Sequence, residues 1–270
     1  MLSTVVMGVF GAFLRWLQNV SIYDADSGLA TPWAGISVVL LLFTVVILAL
    51  HICFSHLWLR DVKASPDVEK VFHTEKIYPV LIGSFCGILM ATGGTLLMFS
   101  AGSTTLPVMQ RLLGAFAIVA GVCFPFLPSR VKYEGASQLG KRITSSVVTL
   151  FYCFWLVFSY RSGAQVPSLW RYGPEIVAIC AGALAFYYVC GWAFERVKPK
   201  TTLLALQFAA YMCIGILPDS RQIAVTLFLI GSAIMLLMME FLMVHNLKRT
   251  EEPESEDKDK QARPSAKPEA

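Results

Sequence analysis

Residues 32–54 read PWAGISVVLLLFTVVILALHICF, an apolar run unbroken by lysine, arginine or carboxylate. The hydrocarbon core of a bilayer is about 30 Å thick, and roughly 20 apolar residues of helix cross it. The stretch that follows, SHLWLRDVKASPDVEK at 55–70, turns polar and basic with Arg60, Lys63 and Lys70. That alternation of apolar run and charged connection recurs along the chain, and it decides the fold class. Of the 270 residues, 56% are hydrophobic, against about 45–50% in soluble domains, so nearly the whole chain is committed to such runs. Barrel strands would be about 10 residues long with alternating polarity. Continuous runs in lipid instead require helix, which satisfies every backbone polar group internally.

The expected fold is therefore an all-α, polytopic transmembrane helix bundle. Its spans are placed at 2–20, 32–54, 77–100, 106–127, 145–160, 174–194, 202–217 and 223–246. The fifth and seventh are short. The first is interrupted by Arg15, so the count is about eight, or seven if that segment lies at the interface. If it spans, Arg15 is expected to snorkel outward beside Trp16. The bundle domain takes residues 1–249. The remainder, 250–270, is rich in Glu, Asp, Lys and Pro with no aromatic residue, and is expected to be a disordered, charged cytoplasmic tail. Met1–Phe13 carries no charged side chain, so no ordinary secretory signal is expected.

Basic residues sort the connections into two sets. Arg60, Lys63, Lys70 and Lys76 lie in the second, Arg130, Lys132, Lys141 and Arg142 in the fourth, Arg196, Lys198 and Lys200 in the sixth, and Lys248 and Arg249 follow the last span. The odd-numbered connections hold Arg111 at a helix start, Arg161 and Arg171, and Arg221, while the first has none. The positive-inside rule puts the richer set in the cytoplasm, and eight spans then leave both termini there. In the second connection Ser65, Pro66 and Asp67 form a helix-start signal, with Val68, Val71 and Phe72 on one face. A faint echo between the two four-span halves, Tyr23/Ser27/Gly28/Pro32 against Tyr160/Ser162/Gly163/Pro167, leaves an internal duplication open.

Chemical motifs are sparse. No G-x-x-x-x-G-K-[ST] phosphate loop and no H-E-x-x-H zinc helix occurs. Tyr23-Asp24 has no G-x-G-D partner, and Gly135-Ala136-Ser137 lacks the glycine a serine nucleophile turn needs. Cys53, Cys86, Cys123, Cys153, Cys180, Cys190 and Cys213 all fall inside apolar runs without a C-x-x-C pair, so neither disulfides nor metal thiolates are expected. His51 and His56 are five apart and point to different helix faces. No catalytic residue, metal or cofactor is assigned.

Two sets of polar residues remain as candidates. Arg15, Asp24, Asp26, Arg111, Arg161, Glu175, Asp219 and Arg221 gather at the outer rim, where mixed charges could line a pocket for a polar or anionic ligand. Gln207 and Glu240 lie within spans, where ionisable and amide groups are costly and so are hypotheses of function. Gly83, Gly87, Ala91 and Thr95 form a small-residue stripe in the third span, and Gly114 and Gly121 a matching face in the fourth. These two helices are expected to pack closely as a hairpin.

Leu14-Arg15, then Asp24-x-Asp26-Ser27-Gly28-Leu29 and Pro32, resemble the start of uncharacterised polytopic membrane proteins of anaerobic Gram-positive bacteria. The resemblance covers the first two spans and implies a bacterial plasma membrane, with no activity to carry over. The expected role is a multi-pass, non-enzymatic partner or sensor component; the alternative is a small-solute transporter or permease with an outward-facing polar pocket. The expected partners are the lipid bilayer and another membrane protein, with no nucleic acid.

Overall fold

A computed structural model describes residues 1–22, 35–60, 71–72, 77–100, 106–128, 136–163, 169–219 and 221–261, and their side chains except at 136–138, 169–171 and 248–261. The described residues form eight helices and no strand. They are α1 (Leu2–Ile22), α2 (Gly35–Trp58), α3 (Tyr78–Ser100), α4 (Pro107–Cys123), α5 (Ala136–Gly163), α6 (Leu169–Ala193), α7 (Pro199–Gly215) and α8 (Ile223–Gln261). Six are long and apolar enough to cross a membrane: α2, α3, α4 with the 3₁₀ turn Phe124–Phe126, α5, α6, and α8 over Ile223–Leu247. The chain is thus a multi-pass membrane protein with an all-helical fold.

Helix limits follow local chemistry. Pro107 and Pro199 open α4 and α7 at the first turn, where a missing N–H costs nothing. Pro125 cannot extend α4, and the chain tightens into 3₁₀ geometry with Leu127 N–H on Phe124 O at 3.2 Å. Two expected spans were short because their ends carry polar residues: α5 begins nine residues before 145 and α7 three before 202. The charged segment expected at 250–270 falls partly on the continuation of α8 to Gln261 and partly outside the described residues. The helix-start signal at 65–67 also lies outside them, but Val71 and Phe72 just beyond it are buried. Val71 O accepts from Asn246 Nδ2 at 2.7 Å, and Phe72 meets the edge of Trp192.

Helix neighbours form a circuit. From α3 to α8 each helix packs on the next, and α8 closes back on α3. Helices α1 and α2 pack on each other and on the flank of α7. The interior of the circuit is filled with rings. Phe151 and Trp155 of α5 reach across to Phe228 of α8 at 5.7 and 5.5 Å between centroids, and Tyr152 meets Phe186 of α6 at 4.9 Å. Trp155, Tyr152, Phe151, Phe186 and Phe228 are all at most 1% exposed. The Tyr152 hydroxyl also donates to Ser232 Oγ across the circuit, so the buried phenol keeps a partner.

The α3–α4 hairpin closes on glycine, as expected from the small-residue stripe. A Cβ on Gly87 would strike Gly121 O, and one on Gly94 would lie 2.5 Å from Gly114 O, with the converse at Gly114 (2.5 Å) and Gly121 (2.6 Å). The other side of α3 does the same against α8, where a Cβ on Gly93 would lie 2.8 Å from Ala224 O. Without a hydrophobic drive between helices in lipid, such close backbone approach supplies the packing. Helix α2 is the opposite case: apolar all round, with most large side chains exposed.

Candidate functional site

Buried polar side chains collect at two levels along α1 and α7. At the first level, Arg15 is 2% exposed, not snorkelled as expected. It forks onto one carboxylate, with Nε on Asp219 Oδ1 at 2.7 Å and Nη2 on Asp219 Oδ2 at 3.1 Å. The planar guanidinium matches that geometry, which makes it among the stronger ion-pair arrangements. Asp219 can be there because the chain leaves α7 in tight turns, Leu217 N–H on Ile214 O and Asp219 N–H on Ile216 O, both at 3.2 Å.

Arg221 donates to the same carboxylate, Nη2 to Asp219 Oδ2 at 2.6 Å, and its Nη1 pairs with Glu175 Oε2. Glu175 in turn accepts from Ser159 Oγ at 2.7 Å. On the other flank Arg15 Nη1 donates to Gln18 Oε1 at 2.6 Å, and Gln18 Nε2 to Ser37 Oγ at 2.7 Å. Asn19 Nδ2 adds a donor to Asp219 Oδ1 at 2.9 Å. One network thus runs from Ser37 on α2 through α1, the α7–α8 connection and α6 to Ser159 on α5. Burial and the neighbouring Arg15 charge push the Arg221 guanidinium down to about 10, so it stays charged at neutral pH. Among the described residues, Arg15 and Arg221 meet two carboxylates, those of Asp219 and Glu175.

Four of the eight outer-rim residues therefore meet: Arg15, Glu175, Asp219 and Arg221. Arg111 is exposed on α4, and Arg161 is exposed near Met109 Sδ at 3.9 Å. Among the described residues neither is bonded to the network, although Arg161 lies two residues beyond Ser159 on α5. Asp24 and Asp26 lie outside the described residues. Gln18, Asn19, Ser37 and Ser159 were not singled out from sequence. Gln18 and Asn19 carried a signal, since they follow Arg15 by three and four residues on one helix face.

At the second level Glu240, 0% exposed, and Gln207, 1% exposed, are joined. Gln207 Nε2 donates to Glu240 Oε1 at 3.1 Å, Thr4 Oγ1 donates to the same oxygen at 3.3 Å, and the Met1 amine lies 2.6 Å from it. Between the levels, Gly8 and Gly11 of α1 receive Ile214 and Tyr211 of α7. The Tyr211 hydroxyl shares a 3.2 Å hydrogen bond with Thr44 Oγ1 on α2, and His51 meets its ring at 6.4 Å. Exposed His56 points elsewhere.

No family model, curated protein or solved structure matches this chain. What it can do chemically must be read from these two clusters. Among the described residues, no group of three or more His, Cys, Asp or Glu could hold a metal ion. The arginine–carboxylate cluster is a set of charge-assisted hydrogen bonds in which Arg221 Nε is buried without a partner among the described residues. In the Glu240–Gln207 cluster, Glu240 Oε2 and Gln207 Oε1 are likewise buried without a hydrogen-bond partner among the described residues.

Proposed function

We propose that this chain is an eight-span bacterial plasma-membrane protein with both termini in the cytoplasm. In this reading it acts as a non-enzymatic partner or sensor component whose outer end is held by a clamp of paired arginines and carboxylates. The observation that carries it is the mutual pairing of Arg15 and Arg221 with Asp219 and Glu175. Four of the side chains that could have lined a pocket for a charged ligand pair with one another, and the aromatic rings fill the helix circuit. Counting α1 and α7 as spans is supported by how α1 is bonded. Its start meets Glu240 deep in α8, and its last turns meet Asp219 just ahead of α8, so α1 runs alongside the bundle. The orientation rests on the basic second, fourth and sixth connections, and the bacterial location on the resemblance of the first two spans.

A second reading, the small-solute permease, draws on the polar side chains of Gln207 and Tyr211 on α7 and of Asp219 in the connection after it, which meet Glu240, Thr44 and Arg15. There the clamp would be a gate. A thermal-shift screen of the purified protein against small anions, zwitterions and sugars separates the two. The clamp reading expects no compound whose stabilisation depends on the arginines. A compound that stabilises the wild type but not Arg221→Gln would replace it with the permease. For topology, an impermeant maleimide should label Asp26→Cys on intact cells, and Ser255→Cys only after permeabilisation. Labelling of Ser255→Cys from outside would overturn the orientation.

A further inference from the structure

Glu240 and Gln207 are joined by one hydrogen bond that leaves one oxygen idle on each side chain. Glu240 Oε1 accepts from Gln207 Nε2, Thr4 Oγ1 and the Met1 amine. Glu240 Oε2 and Gln207 Oε1, both acceptors, accept nothing among the described residues. Buried acceptors without donors are costly, and an ionised carboxylate at this depth is costlier still. Exchanging the amide oxygen and nitrogen of Gln207 would not help, since it would set an oxygen against Glu240 Oε1. Pairing Glu240 with the Met1 ammonium does not help either. That contact falls on Oε1 and leaves both idle oxygens as they are.

One proton resolves both. A carboxylic acid and a primary amide each carry a donor and an acceptor side by side. With a proton on Oε2, the acid O–H can donate to Gln207 Oε1 while the amide N–H donates to Glu240 Oε1, closing a reciprocal pair. We propose that Glu240 is a proton-binding site between α8 and α7, held as the neutral acid by Gln207. Thr4 and the Met1 amine remain donors to Oε1, so they are compatible with the neutral acid. Release of the proton breaks half of the pair and puts a charge at the α7–α8 contact, which makes that contact sensitive to proton binding. The other titratable groups around it are few. Tyr211 lies one turn beyond Gln207 on α7, with His51 of α2 at its ring. His245 of α8 is exposed and bonded to Asn246. Helix α3, also packed on α8, carries Cys86 and Tyr78 but no Asp, Glu, Lys, Arg or His. The site is independent of the outer clamp and stands whether or not that reading holds.

Infrared spectroscopy of the protein in lipid nanodiscs near neutral pH tests this directly. A carboxylic-acid C=O stretch is expected that Glu240→Gln removes. Gln207→Leu should move it to higher frequency by taking away its hydrogen-bond partner. Glu240→Gln should also keep the melting temperature within about 2 °C of wild type, a small fraction of the shift that loss of a buried polar pair brings, because two amides can form the same reciprocal pair. Absence of an acid band assignable to Glu240 overturns the proposal. So does a band that emerges only when the Met1 amine is acetylated, since Glu240 would then be an ionised partner of that amine. If Glu240→Gln does not accumulate, Gln207→Leu decides: a shifted acid band supports the site, and an unmoved or missing one refutes it.

Discussion

Asp219 is the residue on which the outer network turns, and its removal gives a defined expectation. Its carboxylate accepts two hydrogen bonds from Arg15, one from Asn19 and one from Arg221. Asp219→Ala takes a carboxylate away from two guanidinium groups whose side chains are 2% and 8% exposed. Breaking a buried ion pair by deleting one partner costs about 3–5 kcal/mol, because the other charge stays buried and uncompensated. At roughly 2–4 °C per kcal/mol for a chain of this size, the melting temperature in detergent should fall by about 6–20 °C. Asp219→Asn keeps an acceptor but no charge and should fall between. Adding Arg15→Met to Asp219→Ala removes the stranded charge, so the double variant should lose less than the sum of its single variants. Intrinsic tryptophan fluorescence during thermal unfolding reads the wild type, the three single variants and the double variant. A loss near zero for Asp219→Ala, or strict additivity in the double variant, would refute the argument that these residues form one coupled cluster.

Three further expectations follow from packing and hydrogen bonding. Gly94→Val would drive a side chain into the backbone of α4 at Gly114 and should cost at least about 1–3 kcal/mol, the usual range for overpacking; a melting temperature equal to wild type would contradict the close α3–α4 approach. Gly140→Ala is the control, since its Cβ meets nothing within 4 Å, and it should be neutral or stabilise by up to about 1 kcal/mol. Tyr152→Phe leaves buried Ser232 without the phenol and should cost about 1 kcal/mol, measured by the same unfolding assay; a gain in stability would argue against that bond.

Much of the architecture was legible from sequence because lipid restricts the answer. Where 32–54 or 223–246 offers a long apolar run, helix is the form that satisfies the backbone, and the helices Gly35–Trp58 and Ile223–Gln261 begin within a few residues of the expected starts. The small residues of the third and fourth spans likewise announced a close pair, since glycine's lack of a side chain acts locally on whatever lies opposite. The ends of α5 and α7 were missed, because polar residues such as Lys141 and Lys200 halt a hydropathy run but not a helix.

Polar chemistry was legible only as types of residue, not as partners. Arg15, Glu175, Asp219 and Arg221 could be singled out as costly near a membrane, yet so could Arg111 and Arg161, which the fold leaves exposed. Arg15 and Asp219 are 204 residues apart, and Thr4 and Glu240 are 236 apart. No local rule couples positions so distant. Hydropathy determined which segments form long apolar helices, because that depends on single residues meeting lipid. Only tertiary packing, which lays α1 along α7 and brings the α7–α8 connection over α6, decided which acid meets which arginine. The same packing joined Gln207 to Glu240 and left one oxygen of each buried without a partner among the described residues.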